Sequence, residues 1–233
     1  MSNNLFKRTI TSIILLAILI IINFSNQYIF ILSILLLGGI VCIEANNIFS
    51  KIVGSHSLKH SKYTISAKKF NYNFFILNLI FFFYIFFIFC QYSYEIHRTE
   101  SPIFFLYIIC ICFFTDIGGY VFGKSIGGIK LTKISPKKTI SGSIGSFVSS
   151  MIPLILFSSF GFLDLEFNVN NILFCLLISL ISQSGDLFVS YLKRKARIKD
   201  TGKLLPGHGG VLDRVDGIIF AVPFSYFLLN FLK

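Results

Sequence analysis

Asp213 and Asp216 stand three residues apart, with Arg214 between them, at the head of an apolar run. If this stretch is helical, both carboxylates point to nearly the same face. Two carboxylates beside hydrocarbon suit Mg²⁺, which prefers hard oxygen ligands and nucleotide phosphates. The plainer reading is a helix N-terminus, where acids favour the positive dipole end. Asp186, at the end of the preceding apolar run, favours the metal reading. Upstream, Pro206-Gly207-His208-Gly209-Gly210 can turn several backbone N–H groups toward an anion, or simply make a turn. Its neighbours Lys199, Lys203 and the acidic pair favour phosphate. His208 could touch that phosphate or cap the turn, and it is not assigned as a general base. Between residues 135 and 143, Lys137 and Lys138 could grip phosphates while Thr139 and Ser141 donate hydrogen bonds. A basic loop before a helix start explains the same residues. Asp116 opens a glycine-rich stretch to residue 128, whose small residues also suit helix packing.

These groups sit in a chain that is 55% hydrophobic and 13% charged, with a mean hydropathy of +0.79. A globular domain carries about 25% charged residues. Several apolar runs approach the roughly 20 residues that cross a bilayer core. The composition predicts an all-α, polytopic membrane protein, because a helix satisfies its own backbone inside lipid. Seven spans are expected, over 9–23, 28–43, 74–92, 102–117, 144–160, 171–187 and 217–232. The first two are expected to form a tight hairpin. One integral membrane domain covers 1–233, with N-terminal helices in 1–92 and catalytic helices and loops in 102–233.

This arrangement puts 19 of the 21 Lys and Arg residues on one side. Only Arg98 and Lys233 fall on the other. The basic side should be cytoplasmic, in a multi-pass protein of the cell (inner) membrane. Asp116, Asp186, Asp213 and Asp216 share that side, whereas Glu95, Glu100, Asp164 and Glu166 lie in outer loops. Acids at the border of hydrocarbon are costly unless paired or bound to a cation, so the shared side predicts one cytoplasm-facing site. The net charge of +11 is explained by orientation signals and anionic headgroups, and no nucleic-acid partner is expected. The five cysteines all lie in apolar runs and read as buried small hydrophobes; Cys110 and Cys112 have no second pair to make a metal site. Lys7 and Arg8 precede an apolar run without a small-x-small cleavage site, so an uncleaved first helix is expected.

The last polar loop resembles the signature of phosphatidate cytidylyltransferases (CDP-diacylglycerol synthases). The residues that carry the resemblance are Ser190, Lys193-Arg194, Lys199-Asp200, Pro206, His208-Gly209-Gly210 and Asp213-Arg214-x-Asp216. Asp116-x-x-Gly119-Tyr120-x-x-Gly123-Lys124 is similar to the family's Asp-x-x-Ala-Tyr-x-x-Gly-Arg/Lys. Ser135-Pro136-Lys137-Lys138-Thr139 matches its Ser-Pro-Lys-Lys-Thr. The family often continues with Trp-Glu-Gly, whereas this chain has Ile140-Ser141-Gly142 and no acid there. The resemblance is strong from about Asp116 to Gly217 and only hydropathic before that.

The resemblance implies that CTP and phosphatidate give CDP-diacylglycerol and pyrophosphate, with Mg²⁺. A phosphate monoester is already anionic near neutral pH, so the reaction needs charge neutralisation and alignment rather than a protein nucleophile. Asp186, Asp213 and Asp216, with Asp116, are the expected metal ligands. Arg214 joins Asp186, Asp213 and Asp216 as an expected catalytic residue. Lys137, Lys138, Thr139, Ser190, Lys193, Arg194, Lys199, His208, Gly209 and Gly210 are the expected substrate contacts. The lipid tails would stay in the bilayer. Family members resemble dimers, which makes a second copy a candidate partner. A related CTP-dependent enzyme, such as a CDP-archaeol synthase or a polyprenol kinase, would share this loop chemistry. A transporter would instead show two matching halves with acids near the midplane.

Overall fold

The computed structural model describes residues 2–60, 72–132, 135, 137–205 and 209–232, with side chains from residue 9 apart from 53–60, 72, 73 and 232. Helices occupy nearly all of it: α1 (Ser2–Asn23), α2 (Gln27–His60), α3 (Tyr72–Phe83), α4 (Gln91–Thr99), α5 (Pro102–Ser125), α6 (Ile140–Ser149), α7 (Ile152–Ser159), α8 (Val169–Lys195), α9 (Leu212–Val215) and α10 (Ile218–Leu232). A π-helical stretch, Tyr84–Cys90, joins α3 to α4. Among the described residues the only extended pairings are two isolated bridges, Lys130 with Thr139 and Leu205 with Gly209.

Five segments are long and apolar enough to cross a membrane: Gln27–Ile52, Phe74–Thr99, Pro102–Ser125, Ile140–Ser159 and Val169–Lys195. Thr9–Asn23 is shorter, and α10 has 15 residues. The all-α, membrane-embedded architecture agrees with the sequence, whereas length and composition support five spans rather than the full seven. Several helices also outrun the predicted spans. Hydropathy falls where the helix continues, because a helix needs only its backbone hydrogen bonds to persist. Thus α5 and α8 extend past 117 and 187, and α2 runs through the expected loop to His60. Lys62, Lys68 and Lys69 of that loop lie outside the described residues.

The central helix is α5, packed against α4, α6, α7, α8 and α10. Its buried face carries Phe104, Tyr107, Ile108, Ile111, Cys112 and Thr115. Ser101 caps it by accepting from the Phe104 N–H, and Pro102 occupies the first turn, where no N–H is needed. At this end Asn23 Nδ2 donates to the Pro102 carbonyl at 2.8 Å, and the His97 ring meets the Asn23 carbonyl at 2.8 Å. Phe30 stacks on His97. Those contacts tie α1, α2, α4 and α5 together, and the acids lie toward the opposite ends of α5 and α8.

Small residues set the separations that matter at those ends. A Cβ on Gly118 would meet Ser149, and one on Gly145 would meet Phe122, so α5 and α6 pack almost backbone to backbone. Gly185 of α8 and Gly217 before α10 do the same. A Cβ on Gly185 would lie 2.8 Å from the Asp216 carbonyl oxygen. This close approach places Asp186 beside Asp216.

Candidate active site

Asp116 and Asp186 lie more than two helical turns before the ends of α5 and α8. Both helices run the same way, so their negative dipole ends face the site. A polyphosphate there needs basic side chains rather than the dipole for its neutralisation. Lys124 and the Lys193-Arg194-Lys195 run occupy the last turns of these helices.

The loop after α5 doubles back to deliver two more lysines. Leu131 N–H donates to the Lys138 carbonyl, and Ile140 N–H donates to that of Ile129. Gly127 and Gly128 turn the chain with φ of 65° and 101°, a region open to glycine. Thr139 then caps α6, its hydroxyl accepting from the Gly142 N–H at 3.1 Å. Ser141, where the family often carries an acid, donates to the Gly127 carbonyl and so closes the loop. This loop, α5, α6 and α8 enclose a cavity of about 310 Å³ lined by Asp116, Lys137, Lys138, Thr139, Gln183 and Asp186. A larger apolar groove of about 450 Å³ lies between α2 and α3. The smaller cavity is the candidate site, because it gathers the charges.

Lys138 Nζ pairs with Asp186 Oδ2. Ser190 braces the other Asp186 oxygen from one turn away, at 3.2 Å. Asp216 is 9% exposed and touches Asp186. Burial, and then the Asp186 charge, push the Asp216 carboxyl well above the usual carboxylate range. Asp116 opens onto the cavity, within electrostatic reach of Asp186, Lys138 and Arg214. Two buried carboxylates in contact must share a proton or a cation.

The four expected metal ligands do not form one cluster. Asp213 accepts from Lys193 Nζ at 2.7 Å through one oxygen. Its other oxygen accepts from the Thr201 N–H at 2.8 Å and the Gly210 N–H at 3.1 Å. Burial alone would raise its pKa, but these donors hold the carboxyl below the usual range. Asp213 is therefore a brace for the loop and for Lys193. The spacing of three does not bring the two acids to one partner: Asp216 meets Asp186 and Asp213 meets Lys193. Among the described residues no three His, Cys, Asp or Glu side chains form a ready metal cage. Asp186 and Asp216 can still supply two hard oxygens, leaving the other positions of an octahedral Mg²⁺ to phosphate and water.

Of the glycine turn, Pro206 and Gly207 lie outside the described residues, and Gly209 and Gly210 differ from expectation. Gly209 N–H donates to the Leu205 carbonyl, and Gly210 N–H donates to Asp213. Val211 and Leu212 N–H groups donate to Glu44. The amides of residues 209–212 are satisfied within the protein and offer no nest for an anion. His208 lies outside the described residues. Lys199, Arg194 and Arg214 are exposed, and Lys137 stands at the cavity.

Glu44 was not singled out from the sequence. It follows the expected second span, which ends at 43. The available signal was an acid inside a long apolar helix, which is costly without partners. It is 4% exposed and holds the start of α9 from α2.

Comparison with known proteins gives the family. The sequence pattern described as "Cytidylyltransferase family" matches residues 51–232. A Staphylococcus aureus (strain N315) protein named phosphatidate cytidylyltransferase is 44% identical over 135 residues, covering 57% of this chain and 51% of that protein. A Bacillus subtilis (strain 168) protein of the same name is 42% identical over 124 residues, covering 53% and 46%. One from Rickettsia bellii (strain RML369-C) is 44% identical over 125 residues, covering 51% and 54%. The chain thus spans about half the length of the curated relatives it matches. With that match reaching from α2 to α10 and enclosing the cavity, its lysines and its carboxylates, the chain belongs to the cytidylyltransferase family.

Proposed function

We propose that this protein transfers the cytidylyl group of CTP to phosphatidate, giving CDP-diacylglycerol and pyrophosphate. The observation that carries the reading is the convergence of Asp116, Lys138 and Asp186 from three separate segments at one cavity, with Asp216 buried against Asp186. Relatives with this chemistry in their names support the choice of substrates. A phosphatidate oxygen attacks the α-phosphorus of CTP, and the bond from that phosphorus to the pyrophosphate oxygen breaks. Lys137 and Lys138 hold phosphate charge at the cavity, and Lys193, steadied by Asp213, adds a third cation. Asp186 and Asp216, with Asp116 beside them, would hold Mg²⁺, which supplies neutralisation of the developing phosphate charge. Positive-inside charge supports a site on the cytoplasmic side of the cell membrane, where CTP is available. The acyl chains remain in lipid.

A CTP-dependent enzyme acting on another lipid phosphate would use the same groups, and the names of the relatives favour phosphatidate. Purified protein in detergent with Mg²⁺ and labelled CTP should form CDP-diacylglycerol from phosphatidate. A panel of other lipid phosphates and nucleotides should give lower kcat/KM. Turnover of another lipid in preference to phosphatidate would replace the substrate assignment.

A further inference from the structure

Glu44 is a buried carboxylate with partners on both oxygens. Oε1 accepts from the Val211 N–H at 3.0 Å. Oε2 accepts from the Leu212 N–H at 2.9 Å and lies 2.7 Å from the Thr201 hydroxyl. That hydroxyl lies 3.0 Å from Asp213 Oδ2 on its other side. Asp213 in turn holds Lys193, which lies within electrostatic reach of both Asp186 and Asp216. The chain of contacts runs from α2, through Thr201 and Asp213, to the cation beside the carboxylate pair. The fit is close: a Cβ on Gly210 would meet Thr201 and Glu44, and one on Gly202 would meet Glu44. Glu44 lies before the 51–232 match, in the part of α2 that precedes it.

We infer that Glu44 is a positioning residue for nucleotide binding: from α2 it fixes Thr201, Val211 and Leu212 so that Asp213 aims Lys193 at the triphosphate. The inference rests on the nucleotidyltransferase reading of the site. Glu44 is buried with both oxygens engaged by the loop, so its effect must pass through Thr201 and the loop. A neutral amide of the same size removes one acceptor and turns an N–H₂ toward buried N–H donors, leaving the loop unpaired.

The test compares Glu44→Gln, Thr201→Val and Thr201→Ser with wild type. KM for CTP should rise about tenfold in Glu44→Gln, matching about 1.4 kcal/mol, and should rise in Thr201→Val. KM for phosphatidate should stay unchanged, and Thr201→Ser should behave as wild type because it keeps the hydroxyl. KM does not depend on the fraction of folded enzyme, so a merely structural role would lower Vmax and leave KM for CTP alone. Tryptic cleavage after the exposed Lys199 and Lys203 should also accelerate in Glu44→Gln and Thr201→Val. If Glu44→Gln does not fold, the Thr201 pair decides. An unchanged KM for CTP in the folded variants overturns the inference. If wild type turns over neither CTP nor phosphatidate, the functional reading has failed. Cleavage then decides the loop-holding role by itself, and equal rates in wild type and variants remove it.

Discussion

At the scale of single residues, the acids that resemble one another in sequence divide by their partners. Asp216 is buried against Asp186, and two carboxylates in contact oppose folding when no cation is bound. Asp216→Asn should therefore raise Tm in chelator while lowering kcat by at least about 10²-fold, the scale of losing one electrostatic contact at a reacting phosphate. Thermal melts in chelator alongside turnover assays check both arms; full activity would remove Asp216 from the reaction. Lys138→Met should lower kcat similarly while leaving the helices folded. Asp213 has the opposite character, because its oxygens are filled by Lys193, Thr201 and Gly210. Asp213→Asn should cost about 2–3 kcal/mol through buried donors left unpaired. The lowered pKa fixes the sign: the ionised carboxylate stabilises the fold above its ordinary value of 3.8, and that contribution is lost as pH falls through the folded value. The Tm gap between wild type and Asp213→Asn should be widest near neutral pH and close in acid.

At the scale of elements, two helix contacts position the site. Pro223 in α10 has no N–H to give the Ile219 carbonyl one turn earlier. The Tyr84 hydroxyl donates to that carbonyl at 3.0 Å, from the first residue of the π-helical stretch. Tyr84→Phe should destabilise by about 1 kcal/mol, the worth of one hydrogen bond. Pro223→Ala restores the helical donor and should make the Tyr84 change nearly neutral. A double-mutant cycle of Tm values measures the coupling, and additive effects would refute it. The second contact is Gly185 against Gly217, which sets Asp186 beside Asp216. Gly185→Val forces α10 away from α8, at an overpacking cost of about 1–3 kcal/mol, and should abolish activity even where the protein folds. Turnover near wild type in that variant would show that the two aspartates need not meet.

At the scale of the whole molecule, the N-terminal helices and the catalytic helices form one device, because Glu44 of α2 holds the loop before α9. The charge asymmetry predicts that a reporter fused after Asp164 lies on the outer side and one after Lys203 on the inner side; a cytoplasmic signal at Asp164 would overturn the orientation. Composition by itself determined a helical membrane protein, since lipid leaves the backbone few other ways to satisfy its hydrogen bonds. The Ser-Pro-Lys-Lys-Thr stretch and the final polar loop likewise carried the family resemblance, and Asp116, Lys138 and Asp186 were legible as one group from their shared side. Spacing could not tell Asp213 from Asp216, because local sequence does not specify that one meets Lys193 and the other Asp186. Nor could it show that the amides of residues 209–212 are consumed internally, or that Glu44 consumes two of them. Those assignments depend on which donors and acceptors meet across distant segments, and burial decides them by requiring each polar group to find a partner.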